Sequence, residues 1–533
     1  MRRKFLSVVL CVCMMLTMAP FAFAEGEEAS SSDGSSSSTS NTVTNAQELT
    51  NAINAATDNT TITVSGTIEI SEPIVIDDTI TITGTNNAEI NASSNFSGGY
   101  LIGLETADKT LTLGNIKLDA KEKARVVYCS AGSLVVDGAT ITGGKTASSY
   151  IGGVYMTDNS VFEMDSGSIT GNKVSDRYES DGYLQYSADL WIGANVTAGL
   201  AGGEVGNVFV NANSYSKTDP GCFIMQAGHV TNLYAEYCDT YGAQVIYGAA
   251  TLDHLYLSTA EGNGDKVEIT SRVIGTTYKG GVTNADEMSP VAMIGETGYA
   301  TLALAIEMAT SGDTIVMVKD TTVLDEINFY DKKITLDLNG RTITANFGAE
   351  DYSSVIEAQG NNAALTIEDN SKGATGKIVS NHYGVSARGG AYITVNSGTI
   401  KGGDCAALSG NNTTGNMNFI VNGGTLSANQ GPAIYQSGQC ELTVTGGTLN
   451  GGISLRMGQV NISGGTINAT TGSIDSINEY YNKSGNIWLA DALYVFGGTY
   501  DKGDTQHKNS LNLNITGGTF NCSNGQGSAV AIY

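Results

Sequence analysis

Proline is almost missing from this 533-residue chain, which has 5 prolines against 67 glycines. Polyproline and collagen-like architectures are therefore excluded, and the turns must be built on glycine. Basic residues are also few: 27 Lys and Arg face 53 Asp and Glu, for a formal net charge of −26. Nucleic acid needs a basic face and is not an expected partner, and an anionic membrane surface is disfavoured for the same reason. Acidity favours solubility and attracts cations, but names no ligand. Beyond the N-terminus no stretch approaches the roughly 18 apolar residues of a membrane span, so no membrane insertion is expected after export. The long amphipathic runs that a helical-repeat solenoid needs in every repeat are absent too. No CxxC pair occurs, which argues against a zinc site of ordinary spacing.

What is present begins with a leader. Arg2, Arg3 and Lys4 precede an apolar run from Phe5 to about Met18, and Pro20 leads to Ala22-Phe23-Ala24. This is the pattern of a secretory signal peptide, residues 1–24, cleaved after Ala24. Its removal leaves 24 basic against 53 acidic residues, a net charge of −29. Residues 25–42, EGEEASSSDGSSSSTSNT, have no apolar periodicity and read as a flexible spacer. Six cysteines remain: Cys129, Cys222, Cys238, Cys405, Cys440 and Cys522. Export permits disulfides. Cys222–Cys238 and Cys405–Cys440 are spaced so that adjacent repeats can juxtapose them, with buried free thiols as the alternative.

Repeats dominate the remainder. A turn recurs at Ser397-Gly398-Thr399, Gly423-Gly424-Thr425, Gly446-Gly447-Thr448, Gly464-Gly465-Thr466, Gly497-Gly498-Thr499 and Gly517-Gly518-Thr519. A short β-rich run precedes each, such as Tyr392-Ile393-Thr394-Val395. The first half carries relatives at Gly138-Ala139-Thr140 and Ser166-Gly167-Ser168. Alternating β-branched and polar residues make half-buried strands, and glycine supplies turn angles that other residues resist. One such unit cannot bury its own apolar face, whereas a stack of them builds a continuous core. Variable intervals between the turns place loops of variable length at the corners.

Two helices interrupt this pattern. Thr44 and Gln47 have capping-box spacing, and Ala46, Leu49, Ile53 and Ala56 then share a face. The second runs from Tyr299 to Ala309, with Tyr299, Leu302, Ile306 and Ala309 on one face. The residues after each helix match at an offset of 253, as in Thr61-Ile62 and Thr314-Ile315. A duplicated module is implied, each copy opening with a helix that covers its first coil. The expected organisation is a first β-helix domain over 43–281, a linker over 282–298 around Pro290, and a second β-helix domain over 299–533.

The helix-headed, Gly-Gly-Thr-punctuated chain resembles the right-handed parallel β-helix proteins of the pectate-lyase-like superfamily. Gly152-Gly153-Val154-Tyr155-Met156, continuing to Ser166-Gly167-Ser168-Ile169-Thr170-Gly171-Asn172, is similar to repeats of bacterial surface and adhesin-like members. The resemblance covers roughly residues 43–533 and implies an all-β fold of two tandem solenoids; it says little about activity. Gly527–Tyr533 reads as the opening of another coil, which favours a piece of a longer surface protein.

The resemblance to polysaccharide lyases implies acidic calcium ligands and a basic catalytic residue on one exposed sheet. Arg125, Arg177, Arg272, Arg341, Arg388 and Arg456 show no shared repeat position with an acidic cluster. Pectin-hydrolase relatives imply paired Asp, Gly-His-Gly and Arg-Ile-Lys; here Asp77-Asp78 stands without companions, and Gly228-His229-Val230 lacks the second glycine. His229 and His254 fall at ordinary polar repeat positions, and His382 and His507 sit in polar loops without metal-ligand spacing. No catalytic residue can be assigned from the sequence, and no metal or cofactor is expected. One binding feature stands out. Phe209, Tyr234 and Tyr256 share a repeat position between core-facing neighbours, which places them outside and stacked on successive coils. Such a row stacks on sugar rings, or else packs laterally under a loop. The expected function is a secreted or cell-surface, non-catalytic β-helix protein, adhesin-like, with an extracellular glycan or host-surface ligand as partner. A polysaccharide lyase or glycoside hydrolase and a purely structural spacer are the alternatives.

Overall fold

A computed structural model of the chain describes residues 42–532 apart from 181–183, 213–218, 238–241, 260–261, 270–272, 280–288, 349–352, 411–416, 430, 437–439, 456–457, 470–490, 496–498, 503–504, 509–510, 524 and 526. The leader, most of the spacer and Cys238 lie outside the described residues. From Thr42 onward the chain forms one compact unit. It is an all-β fold with long parallel ladders, and two apolar cores run along it, 43–278 and 292–495.

Three files of side chains make the first core. On one face Ile62, Ile82, Leu113, Val136, Met164, Leu200 and Met225 stand in lateral register. On the next, Ile68, Ile90, Leu118, Ile141, Ile169, Val205 and Val230 do the same. On the third, Ile76, Leu104, Cys129, Met156, Ile192, Val210 and Ala235 follow. Every one of these side chains is buried. Burying each large aliphatic side chain is worth about 1.5–3 kcal/mol, so the files hold the stack together. The parallel run closes where Thr251–Thr259 pairs antiparallel with Gly262–Ile269, and Gln244–Tyr247 with Thr277–Lys279.

Val273–Ile274 pairs with Thr297–Tyr299, joining one core to the next. Within 282–298, Ala292–Ile294 is also a strand, antiparallel to Thr314–Met317. The second core has an 11-stranded sheet and two 8-stranded sheets, with one strand of each coil in each sheet. Thr399, Thr425, Thr448, Thr466 and Thr519 stand in one lateral file. The glycines before them divide two tasks. A Cβ on the first would come within 2.3 Å of the carbonyl oxygen of Asn396 at Gly423, and of Asn422 at Gly446. The second holds a left-handed angle: φ is 77° at Gly424 and 86° at Gly447. Asparagines add side-chain ladders, with Asn468 donating to Asn450 at 2.8 Å and Asn521 to Asn468 at 2.9 Å. The Thr499 repeat departs from this pattern. Thr499–Lys502 forms an antiparallel hairpin with Thr505–Lys508, and the ladder steps from Thr466 straight to Thr519.

Both helices form with their starts displaced. Helix α1 (Ala46–Asn54) is capped by Asn45, whose side chain accepts from the Glu48 N–H. Glu48 reaches back to the Thr44 N–H and hydroxyl, at 2.8 and 2.9 Å. The cap is thus Asn45 with Glu48 rather than Thr44 with Gln47, because a carboxylate answers both Thr44 donors. Leu49 is the residue α1 buries. Helix α2 (Leu302–Met308) starts after Tyr299, with Thr301 as its cap, and buries Leu302, Ala305 and Ile306.

Candidate functional site

The third face of the first core carries short strands whose outer residue lies between two buried ones. In Val154–Met156, Val154 and Met156 are buried while Tyr155 is half-buried. Lateral register puts Gly103, Tyr128, Tyr155, Trp191, Phe209, Tyr234 and Tyr256 in one file. The rings stack: Trp191 on Phe209 at 4.3 Å between centroids, and Phe209 on Tyr234 at 5.2 Å. Phe209, Tyr234 and Tyr256 therefore share a file as their spacing indicates, and the file extends well beyond them.

Their exposure is corrected. Phe209 and Tyr234 are 0% exposed and Tyr256 is half-buried. Residues 143–153, with the segments 170–180 and 184–189, bring Ile151, Leu184, Tyr150 and Tyr186 over the file. The Tyr186 ring lies 5.0 Å from Tyr256 and 5.9 Å from Tyr234, and Tyr150 lies 5.0 Å from Trp191. Buried Asp189 fastens this cover. It accepts from the backbone and side chain of Asn172 at 3.1 and 3.0 Å, and from those of Asn207 at 2.8 and 2.9 Å. Burial pushes its pKa up, and these donors partly offset the cost.

The other end of the file is partly open. Tyr128 and Tyr155 are half-buried, and Tyr100 folds its ring back to stack on Tyr128 at 5.4 Å. Gly103 makes this possible, since a Cβ there would come within 2.5 Å of the Tyr100 ring. Burial, and then a 2.7 Å hydrogen bond to Glu105, push the Tyr100 hydroxyl up to about 12. The Arg125 guanidinium lies 4.6 Å from the Tyr155 ring centre and 5.6 Å from that of Tyr128. It donates to the Ser149 hydroxyl at 3.3 Å, while its buried Nε–H has no hydrogen-bond partner. Burial lowers its pKa, and among the described residues ring faces rather than a carboxylate stand beside this cation.

No family model matches this chain, and neither does a curated protein or a solved structure.

The remaining sequence candidates scatter. Asp77 accepts from Thr106, and Asp78 lies 3.5 Å from Lys109, which also pairs with Asp58. His229 lies 3.2 Å from Asp253, and His254 lies 2.7 Å from Glu268. The His507 side chain is outside the described residues. Of the cysteines in the two expected disulfides, Cys222 and Cys405 are free thiols, while Cys238 and the Cys440 side chain lie outside the described residues. The lateral neighbours of Cys222 are Thr197 and Gln244, and Cys440 begins a strand beside Met417 while Cys405 sits at a corner. His382 is no loose loop residue. It is 3% exposed, and its ring clusters with Asp404 and Cys405.

Sequence reasoning missed Tyr100, Tyr128, Tyr155, Trp191 and Arg125. A signal existed, because Val127-Tyr128-Cys129, Val154-Tyr155-Met156 and Leu190-Trp191-Ile192 repeat the apolar–aromatic–apolar triplet of Val208-Phe209-Val210. Glu236 was also missed. It accepts from the Asn211 side chain at 2.6 Å and from the Ala212 N–H at 2.9 Å, and burial pushes its pKa up to about 7. A carboxyl raised from 4.5 stabilises the fold below that value and loses its contribution as pH climbs through about 7. Its share is about 3 kcal/mol. Urea unfolding at a series of pH values should show this loss, and Glu236→Gln should remove it.

Proposed function

We propose that this chain is an exported, cell-surface, non-catalytic protein that binds extracellular glycan through the open end of its aromatic file. The observation that carries this reading is the combination at Tyr100, Tyr128, Tyr155 and Arg125. Half-buried rings on successive coils offer flat apolar faces to pyranose rings, and the partly exposed Arg125 guanidinium beside them is a donor for sugar hydroxyl or carboxylate oxygens. The leader sequence supports export. We read the architecture as two tandem right-handed parallel β-helices of the pectate-lyase-like kind, each headed by a capping helix. Two separate cores support this, as do Leu49 of α1 and Ile306 of α2, each buried in one of them.

The test is retention on a panel of neutral and uronate polysaccharides, with release of unsaturated or reducing ends followed in parallel. Retention without products is expected. Tyr128→Ala with Tyr155→Ala should weaken it about tenfold, each ring contributing about 0.5–1.5 kcal/mol. Unchanged retention in that double variant would sink the reading. Glu236 favours polysaccharide cleavage as a second reading, since a carboxyl titrating near 7 suits general acid–base work. Products that disappear in Glu236→Gln would establish it.

A further inference from the structure

The corner between two sheets of the second core stacks three coils in a narrow space. Gly348 lies at the first level, Asn381 and His382 at the second, and Asp404 and Cys405 at the third. Main-chain bonds fix the levels to one another: Asp404 N–H to the Asn381 carbonyl at 3.0 Å, and Gly403 N–H to the His382 carbonyl at 2.9 Å. The Asn381 side chain ties the first level in, accepting from Phe347 N–H and donating to the Phe347 carbonyl, both at 2.8 Å. Gly403 has no room for a side chain, since a Cβ there would fall 1.8 Å from the Asn381 carbonyl oxygen. The groups at this corner are therefore held before any ligand arrives.

Three donor atoms converge there. One nitrogen of His382, one Asp404 oxygen and Cys405 Sγ all lie within 4.8 Å of one another. His382 Nε2 is 2.9 Å from the Gly348 carbonyl, which only accepts, so Nε2 carries the ring proton in the neutral imidazole. The lone pair of Nδ1 then points at Asp404 Oδ1, 2.7 Å away. A ring N–H donated to a main-chain carbonyl is the usual outer support of a metal-bound histidine. Cys405 is buried and faces Asp404, while the Asp404 side chain is 34% exposed and opens the cluster to solvent.

We propose that His382 Nδ1, the Asp404 carboxylate and Cys405 Sγ form a binding site for a divalent transition-metal ion of the zinc type. Mixed nitrogen, oxygen and sulfur donors suit a borderline-soft ion and not calcium or magnesium. On binding, the thiol gives up its proton to solvent, as does His382 Nδ1 wherever it carries one. Sulfur, nitrogen and oxygen each then direct a lone pair at the metal. Three protein ligands leave a fourth position for water. The ion would clip together coils whose ligands lie 22 residues apart, which no local spacing in the sequence reveals.

Cobalt(II) is the probe, because a thiolate–cobalt bond gives a charge-transfer absorption that carboxylate and imidazole alone do not. The purified, reduced chain should develop that band, saturate at one equivalent and lose it when zinc is added. Cys405→Ser should abolish the band, and Cys522→Ser should keep it. Asp404→Asn should keep the apo fold and weaken cobalt binding by about tenfold or more. If Cys405→Ser fails to fold, as its far-UV spectrum would reveal, Asp404→Asn decides. Absence of the band in the unaltered chain, its persistence in a folded Cys405→Ser chain, or unaltered affinity in Asp404→Asn would each overturn the proposal.

Discussion

Replacing Phe209 by alanine should cost about 3–5 kcal/mol of stability, read as a large drop in the urea midpoint. The ring is 0% exposed and lies between Trp191 and Tyr234, its plane parallel to that of Trp191. Alanine removes both stacking partners' contact and leaves a void that the flanking strands cannot close. Those strands are fixed by Val208 and Val210 in the core beneath. The same substitution on an open file would cost far less, because water would fill the space. A loss below about 1 kcal/mol would therefore mean that Tyr150, Ile151, Leu184 and Tyr186 do not lie over the row in solution.

Gly424→Ala should cost about 3 kcal/mol, and the comparison that explains it is Gly66→Ala. Both glycines have φ of 77°. A Cβ on Gly66 meets nothing within 4 Å, whereas one on Gly424 meets the Gly398 carbonyl oxygen at 2.7 Å. Gly66→Ala then measures the left-handed backbone alone, about 1 kcal/mol. The excess at Gly424 measures the closeness of the coil below. Equal losses in the two variants, by chemical denaturation, would show that the Gly-Gly-Thr file is not stacked as tightly as described.

These two cases also show what the residues disclose unaided. Gly-Gly-Thr is a local pattern whose physics is local, so the file from Thr399 to Thr519 is legible in advance. Thr499 carries the same letters yet leaves the ladder, because pairing with Lys508 answers its backbone groups nearby. The α1 cap shifted by one residue, since Asn45 and Glu48 compete with Thr44 and Gln47 at the same spacing. The shared file of Phe209, Tyr234 and Tyr256 was legible from their common neighbours. Its burial was not, because the cover comes from loops whose course depends on Asp189 meeting Asn172 and Asn207. The His382 cluster was hidden for a related reason. It exists only once the coil register is known, and a chain read residue by residue holds no record of which corners stack.

The aromatic file also gives the protein a built-in optical gauge. Trp191 lies among Tyr150, Tyr155 and Phe209, with Tyr128, Tyr234 and Tyr186 one ring further along. Light absorbed by these tyrosines drains toward the indole, whose emission then reports on the whole run of rings. Lifting the loops would wet the indole, redden its emission and break the transfer from Tyr150 and Tyr186. With Trp488, the chain's second tryptophan, replaced by Phe, fluorescence can thus follow the closing of this face under any ligand, pH or metal added.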